Sequence, residues 1–247
     1  MAVEQPSATD TLGNPSHSTL HKIIASDLSA GVQTITVDAS SITRIGDADG
    51  SNYTKVEADG TVEFNGDATV WDDLRIVPGA FEFAGNSDPT LQTWQPGGSG
   101  TQFQIYKFVE GDEVFFTCQL PHSYKEGTDI GAHLHWTPAD RGTDEGTAVV
   151  AWKLDYSWAN IDGTFGASAT VDLSDACQST DDDHLNTPEV AISGTDKTIS
   201  SILVCRLWRD LTGDTWVGTT AAQSPAILEF DFHFEIDTVG SRQTTVK

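Results

Sequence analysis

A regular alternation of apolar and polar side chains constrains this chain most strongly. Between residues 130 and 136 every second residue is apolar, and the positions between them include His133 and His135. Successive residues of a β-strand face opposite sides of a sheet, so this segment predicts a half-buried strand with both imidazoles on its polar face. The same alternation recurs over residues 230–235, where three Phe residues alternate with Asp, His and Glu.

Segments with strand character follow one another through the chain after residue 79. Helical periodicity is not evident between them, and Gly, Pro and Asp residues occupy the connections. The predicted strands are 81–85, 90–95, 102–109, 112–120, 130–137, 146–158, 167–173, 188–193, 200–209 and 225–237. Many short strands joined by turn residues are typical of an antiparallel sandwich. We therefore predict an all-β protein with a jelly-roll-like β-sandwich, preceded by an extended N-terminal arm with short β-hairpins.

The first 50 residues differ in character from the rest. They are poor in aromatic side chains and rich in Ser, Thr, Ala and Asp, with a weak helical pattern over residues 16–28. Such a segment buries too little apolar surface to fold alone. We expect it to be an arm that packs against other chains. The side chains assigned to attachment to those chains are His17, Leu20, His21, Ile23, Ile24 and Leu28.

Turn signals define the expected domain boundary. Hairpin-type dipeptides lie at Asp49-Gly50, Asp59-Gly60 and Asn65-Gly66. Both residues of such tight turns need positive φ, which Asn, Asp and Gly tolerate best. The breaker Pro78-Gly79 follows. We predict an arm and β-stem over residues 1–78, responsible for attachment and oligomerisation, and a jelly-roll-like domain over 79–247.

Charge and hydropathy exclude two classes of partner. The chain has 13 Lys and Arg against 37 Asp and Glu residues, a formal net charge of −24. A field of that sign repels the phosphates of nucleic acids and anionic membranes. Apolar runs also fall well short of the ~20 residues that a membrane-spanning helix needs. We expect neither nucleic acid binding nor membrane insertion.

Three cysteines occur without paired spacing, at positions 118, 177 and 205. Two of them lie within apolar strand patterns. An odd number in such surroundings predicts buried free thiols and not a disulfide framework.

His133 and His135 are the candidate metal ligands. Gly127, five residues and then His-x-His match the opening of the cupin motif, and cupins are jelly rolls in which that pair binds a transition metal. Asp140 stands where the motif has Glu, and the second cupin motif is absent. A cupin-like metalloprotein is therefore one alternative for this chain.

The remaining histidines extend that set. His233 could supply a third imidazole from the last strand, and His122 or His184 a fourth. Imidazole suits Zn, Fe, Cu and Ni. The pair can equally be a polar cluster on a symmetry axis or a solvated surface. We expect no cofactor, with a transition metal at His133 and His135 as the alternative.

Tryptophans suggest a further alternative. Exposed indoles stack on sugar rings, and the candidates are Trp71, Trp94, Trp158 and Trp216. Aromatic residues in strands more often form core or interface. A carbohydrate-binding module is therefore kept as a third class.

Two segments resemble structural proteins of tailed-bacteriophage virions. One is Gly13-Asn14-Pro15-Ser16-His17-x-x-Leu20-His21, and the other runs from Leu120 to Trp136 and ends on the His-x-His strand. The resemblance implies a non-enzymatic fibre, spike or head-decoration protein, commonly a homotrimer. Its arm would bind capsid, neck or tail proteins and its β domain would face outward.

The same resemblance implies location and ligands. The protein would be made in the host cytoplasm and reside in the virion, with a host-surface glycan as a candidate ligand. Phage spikes also use a His-x-His strand at a threefold axis to hold one metal. That arrangement is an expectation for His133 and His135 if three chains converge there.

Overall fold

The computed structural model describes residues 34–37, 43–46, 51–57, 59–139, 148–177, 182–218 and 220–247. The predicted attachment residues, from His17 to Leu28, lie outside these ranges. Two compact units are present: Met1–Val70 with Ile236–Ser241, and Trp71–Glu235 with Arg242–Lys247. The described residues form strands and short 3-10 turns without an α-helix, which confirms the all-β prediction. Among them, no helix is long and apolar enough to cross a membrane.

The smaller unit contains a four-stranded antiparallel meander within its described residues. Its strands are β1 (Thr34–Val37), β2 (Thr43–Gly46), β3 (Tyr53–Val56) and β4 (Val62–Asn65). Each strand pairs with the next along the chain. A hairpin joins β3 and β4 at Asp59-Gly60, as predicted, but only Gly60 has a positive φ, of +85°. The returning chain adds Thr238, which bridges to Glu63.

The remaining strands belong to the jelly-roll part of the chain. They are β5 (Val70–Ile76), β6 (Thr90–Trp94), β7 (Phe103–Lys107), β8 (Glu113–Gln119), β9 (Ile130–Thr137), β10 (Val149–Val150), β11 (Trp152–Ala159), β12 (Ala169–Asp172), β13 (Asp175–Ala176), β14 (Leu185–Asn186), β15 (Val190–Ile192), β16 (Ile202–Arg209) and β17 (Ala226–Ile236). Every predicted segment from 90–95 onward contains a strand. The predicted strand 81–85 is wrong, since only Glu82 forms an isolated bridge, to Phe115. The short strands β13 and β14 were not predicted.

Strand pairing is nested, as in a jelly roll. In one sheet β8 pairs with β16, β16 with β11 and β11 with β12. In the other, β7 pairs with β17, β17 with β9 and β9 with β15. Among these eight strands, the first (β7) pairs with the last (β17), and the second (β8) pairs with the second-last (β16). Further inward, β9 pairs with β15 and β11 with β12. A long antiparallel hairpin folded over itself gives this order, which is that of two sheets packed as a jelly roll.

Apolar side chains fill the space between these two sheets. Leu134 and Trp136 of β9 are fully buried, as are Phe230 and Phe232 of β17. The rings of Phe116 on β8 and Phe230 on β17 lie 5.3 Å apart across the sandwich. Burying each such side chain contributes about 1.5–3 kcal/mol. The three cysteines are buried, as predicted, and Cys118 and Cys205 are free thiols.

The boundary between the units differs from the predicted one. It lies between Val70 and Trp71 and not at Pro78-Gly79. The reason is β5, which pairs with β17 of the larger sheet. Residues 236–241 also return to the smaller unit, where Phe64 N–H donates to Asp237 O at 2.6 Å. Local turn signals cannot reveal either long-range pairing.

Candidate metal centre

Antiparallel pairing of β9 with β17 brings two polar strand faces together. The register sets His133 opposite Asp231, His135 opposite Glu229 and Gly131 opposite His233. Directly opposed residues on one face of an antiparallel pair have side chains in contact. Because the residues between them point into the core, the outer face of this strand pair becomes a stripe of imidazoles and carboxylates.

Three side chains at the centre of this stripe converge on one point. His133 Nε2 lies 2.9 Å from His135 Nε2 and 2.8 Å from Asp231 Oδ1. His135 Nε2 lies 3.6 Å from Asp231 Oδ2. Ligands bound to one first-row ion at about 2.0–2.2 Å lie about 3–3.5 Å from one another. The inner triad of His133, His135 and Asp231 therefore has the spacing of three ligands of a single ion.

Within the triad, the buried Asp231 carboxylate is the strongest indication of a bound cation. The side chains of Asp231 and His133 are only 4% and 5% exposed, and that of His135 is 25% exposed. Asp231 Oδ1 finds no partner of hydrogen-bond geometry within the described part of the chain, despite its closeness to His133. A buried carboxylate oxygen without a partner is costly. A cation between the three groups would remove that cost.

The two imidazoles of the triad titrate in opposite directions. Asp231 raises the pKa of His133, because it attracts a proton on Nε2 and adds negative charge, against the opposing effect of burial. Burial lowers the pKa of His135, aided by the neighbouring His133 and His184 and opposed by Asp231. A lowered pKa favours the neutral imidazole, the form in which histidine binds a metal.

A second group of ligand atoms adjoins the inner triad. His233 Nδ1 lies 2.5 Å from Glu189 Oε2, and His233 Nε2 lies 3.1 Å from Asp73 Oδ1. The ring centroids of His133 and His233 are 4.4 Å apart. Ligand atoms of Asp73, Asp231 and His233 all lie within 4.8 Å of one another, and we name this set the outer triad.

Gly131 makes room for Glu189. Glu189 directly precedes β15, whose residue Ala191 pairs with Gly131 on β9. A Cβ placed on Gly131 would lie 2.3 Å from Glu189 Cδ and 2.6 Å from both carboxylate oxygens. Absence of a side chain at residue 131 thus lets the carboxylate lie across the strand and reach His233.

An open cavity of about 290 Å³ adjoins both triads. It is lined by Asp73, Arg75, His135, His184, Leu228, Glu229 and Asp231. His184 Nε2 lies 2.7 Å from His135 Nδ1, so one imidazole orients the other. Arg75 forms a two-pronged ion pair with Glu229 at the rim. Small ions and water can reach the triads from this side.

Sequence reasoning located part of this cluster. His133 and His135 share the polar face of one strand, as predicted, and His233 and His184 join them. His122 does not, since its Nε2 lies 3.0 Å from Ser200 Oγ. Asp140 lies outside the described residues.

Sequence analysis missed three carboxylates of the cluster, and only one of them, that of Asp231, has a signal in the sequence. Asp231 shares the polar face of the last strand with His233, so the alternation over residues 230–235 carried a signal. The alternation cannot show, however, that β17 pairs with β9. Nothing local marks Asp73 or Glu189 as members of the cluster.

The geometry also distinguishes between the two metal sites that the resemblances suggest, a cupin-like site within one chain and a site at a threefold axis. Leu134 and Trp136 point into the sandwich, so the His-x-His pair lies on its outer face. A threefold-axis site needs both imidazoles to face partner chains, whereas His133 Nε2 faces His135 and Asp231 of its own chain. The geometry thus favours a site built within one chain. Binding of a metal stays a prediction.

Only some of the candidate tryptophans are accessible. Trp158 and Trp216 are 7% and 5% exposed, so neither can stack on a sugar. Trp71 is 59% exposed. Trp94 lines a cleft of about 400 Å³ together with Phe103.

Comparisons with known proteins find structural matches with low scores. No protein-family model and no curated protein matches the chain. Among solved structures, the VP2 subviral particle of infectious bursal disease virus aligns over 90% of this chain and 50% of its own, with 12% identity and a TM-score of 0.35. The carbohydrate-binding module TmCBM61, in complex with β-1,4-galactotriose, aligns over 70% and 88% with 10% identity and a TM-score of 0.23. The chain spans half the length of the VP2 chain, and scores this low decide neither topology nor function.

Proposed function

We propose that this chain is a non-enzymatic structural protein of a tailed-phage virion whose jelly-roll unit holds a transition-metal ion at the inner triad. The metal site rests on one observation, the buried Asp231 carboxylate whose Oδ1 has no hydrogen-bond partner among the described residues yet lies 2.8 Å from His133 Nε2. The virion role is supported by the two sequence segments that resemble phage structural proteins. An all-β, strongly acidic chain suits display on a particle surface.

The ion would have a structural role. Its ligands come from β9 and β17, about a hundred residues apart in sequence, and the unfolded chain cannot hold them together. Binding free energy then adds directly to folding free energy. Two imidazoles and a carboxylate suit Zn²⁺, Fe²⁺ or Ni²⁺. Because His133 and Asp231 are almost fully buried, the ion would be enclosed on the protein side, as fits a structural role.

Metal content tests the site. The full chain, stripped with a chelator and reloaded with Zn²⁺, should retain metal after desalting and melt at a higher temperature than the stripped form. Asp231→Asn should abolish both effects. Asp162→Asn is the matched control, since Asp162 is exposed and its φ of +60° suits Asn. Equal melting temperatures of stripped and reloaded protein, with no retained zinc, would rule the site out.

Particle composition tests the virion role. Mass spectrometry of gradient-purified phage particles should detect this chain at a fixed ratio to the major capsid protein. Antibody labelling in electron microscopy should then place it on head, neck or tail. Particles that lack the chain entirely would refute the virion assignment and leave the metal site untouched.

Glycan binding is a second candidate, favoured by the cleft between β6, β7 and β17. Trp94 and Phe103 line it with ring centroids 6.5 Å apart, and Phe103 is 54% exposed. Aromatic rings presented in this way can stack on sugar faces. A glycan array should detect binding that Phe103→Ala removes. Val217→Ala, at another exposed apolar residue, is the control.

A further inference from the structure

We propose that a second divalent ion binds at the outer triad, so that Asp231 bridges two ions and the site is dinuclear. The inference rests on the proposed inner-triad site and extends it. Asp231 belongs to both sets of converging ligand atoms, with His133 and His135 on one side and Asp73 and His233 on the other. A bridging carboxylate suits two ions about 3.5–4 Å apart.

Geometry at His233 supports the second ion. Its Nε2 lies 3.1 Å from Asp73 Oδ1, within the spacing of two ligands on one first-row ion. Its Nδ1 lies 2.5 Å from Glu189 Oε2. Histidine ligands of metals commonly donate their other ring N–H to a carboxylate, which fixes ring orientation and tautomer. Glu189 is therefore a positioning residue that presents Nε2 of His233 to the outer triad.

The charge of the cluster can accommodate a second ion. Asp73, Glu189 and Asp231 bring three negative charges to the cluster. With neutral imidazoles, one divalent ion leaves a net charge of about −1, and a second changes it to about +1. Glu229 does not enter this balance, because Arg75 pairs with it. If both triads hold an ion, each buried carboxylate oxygen of Asp231 has a cation beside it.

The two positions differ in ligand chemistry. The inner triad offers two nitrogens and one carboxylate, and the outer triad offers two carboxylates and one nitrogen. Oxygen-rich sites favour harder ions such as Mn²⁺, whereas imidazole-rich sites favour Zn²⁺. The outer triad is also more open, since Asp73 is 50% exposed and His233 is 32% exposed. We therefore expect the outer ion to exchange faster and to bind more weakly.

Titration of the full chain tests the proposal. Chelator-treated protein is titrated with Zn²⁺ by calorimetry, and bound metal is counted by elemental analysis. The wild-type chain should bind two ions. Asp73→Asn and His135→Gln should each leave one, with affinity for the lost ion reduced by at least about 10–100-fold. Asp72→Asn is the matched control, because the exposed Asp72 neighbours Asp73 on the same strand.

A spectroscopic measurement makes the bridge itself visible. Protein loaded with two equivalents of Mn²⁺ should show the electron paramagnetic resonance signal of a coupled pair, and Asp73→Asn should convert it to that of isolated ions. One zinc per wild-type chain, unchanged in Asp73→Asn, would overturn the second ion and leave the inner site standing. A wild-type chain that binds a single ion, lost in both Asp73→Asn and His135→Gln, would reveal one composite site and overturn the bridge. No binding at all would overturn the proposed inner site as well.

Discussion

Two buried carboxylates in this chain have opposite surroundings, and their roles differ accordingly. Asp214 is fully buried against Arg209, whose guanidinium donates to it through Nε and Nη2 at 2.7 and 2.8 Å. Its oxygens also accept N–H groups from Ala151 and Trp216. Asp231 is almost as deeply buried, yet its Oδ1 lacks a hydrogen-bond partner among the described residues. A satisfied pair holds the fold, and an unsatisfied carboxylate is available to a ligand.

Asp214→Ala should therefore destabilise the protein severely. Arg209 would remain buried without its counter-charge, and breaking a buried ion pair in this way costs about 3–5 kcal/mol. Urea unfolding at neutral pH measures the loss. Asp162→Ala, at an exposed residue, should change the free energy of unfolding by less than about 0.5 kcal/mol. A similarly small change for Asp214→Ala would show that Arg209 does not depend on this partner.

The buried carboxyl group of Asp112 should make the free energy of unfolding depend on pH. Burial raises the pKa of its carboxyl to about 6 from 3.8, although its Oδ2 accepts the Val109 N–H at 2.8 Å. Because the folded chain holds this proton more tightly than the unfolded chain, the contribution to stability is greatest below pH 3.8. It falls as the pH rises to about 6, by at most about 3 kcal/mol.

Asp112→Asn should remove that slope, since Asn carries no charge and still accepts the Val109 N–H. Variant and wild type should have similar unfolding free energies at pH 4, and the variant should be more stable at pH 7. Urea titrations at four pH values between 4 and 7 measure the difference. Parallel curves across this range would mean that Asp112 ionises in the fold without penalty.

At the scale of strands, what the sequence could predict depended on the range of the interaction. Alternation is a property of neighbouring residues, so β9 and β17 were predicted within a residue or so of their observed bounds. The turn at Asp59-Gly60 was equally local. Pairing of β5 with β17 joins residues about 150 apart, as the Arg75–Glu229 ion pair shows, and the boundary at Pro78-Gly79 was misplaced for that reason.

The candidate site follows the same rule. His133 and His135 were identified because two residues of one strand share a face without any knowledge of partners. Asp231 became a member only through the β9–β17 register. Glu189 depends on a further condition, a glycine at residue 131 of the neighbouring strand. A single sequence gives no sign that a glycine on one strand makes room for a side chain from its neighbour.

Gly131→Ala isolates that steric condition. The added methyl group would overlap the Glu189 carboxylate, the far end of a flexible side chain that can swing away from His233. Metal-free stability should therefore hold or rise slightly, because Gly costs about 0.5–1 kcal/mol relative to Ala within a strand. Affinity for the outer ion should fall about 10–100-fold.

Calorimetric titration with Zn²⁺ measures the effect of Gly131→Ala. The matched control is Gly166→Ala, where a Cβ would meet nothing within 4 Å. A large loss of metal-free stability would indicate that the backbone at residue 131 cannot accept a side chain. Unchanged affinity for both ions would show that Glu189 does not position His233.

For the molecule as a whole, net charge and exposed apolar surface have opposing consequences. A formal charge of −24 on each copy resists self-association at low salt. Yet Phe103 on β7 is 54% exposed beside Trp94, its cross-strand partner on β6, as is expected of a sheet face that binds another surface. We predict a homotrimer, as the resemblance to phage fibres and spikes implies.

Light scattering on the purified chain tests that prediction. It should give three times the 26.5 kDa chain mass at moderate salt, with dissociation favoured as ionic strength falls. Phe103→Asp should weaken association if the β6–β7 face is the interface, whereas Leu211→Asp, at an exposed apolar residue outside that face, should not. A monomer across the micromolar range at all salt concentrations would contradict the trimer.

The last prediction concerns the N-terminal arm. Strands β1 (Thr34–Val37) and β2 (Thr43–Gly46) belong to the four-stranded sheet of the smaller unit, so a deletion that spares this sheet must stop before Thr34. Removal of residues 1–33 deletes every predicted attachment residue, from His17 to Leu28. We expect the shortened protein to keep its far-UV β spectrum and its metal stoichiometry, but to fail to join particles when it replaces the full chain during infection. Particle-associated protein, quantified by mass spectrometry, is the measurement. Normal incorporation of the shortened chain would show that the arm is not the anchor, and the exposed faces of the β domains would then have to carry the attachment surface.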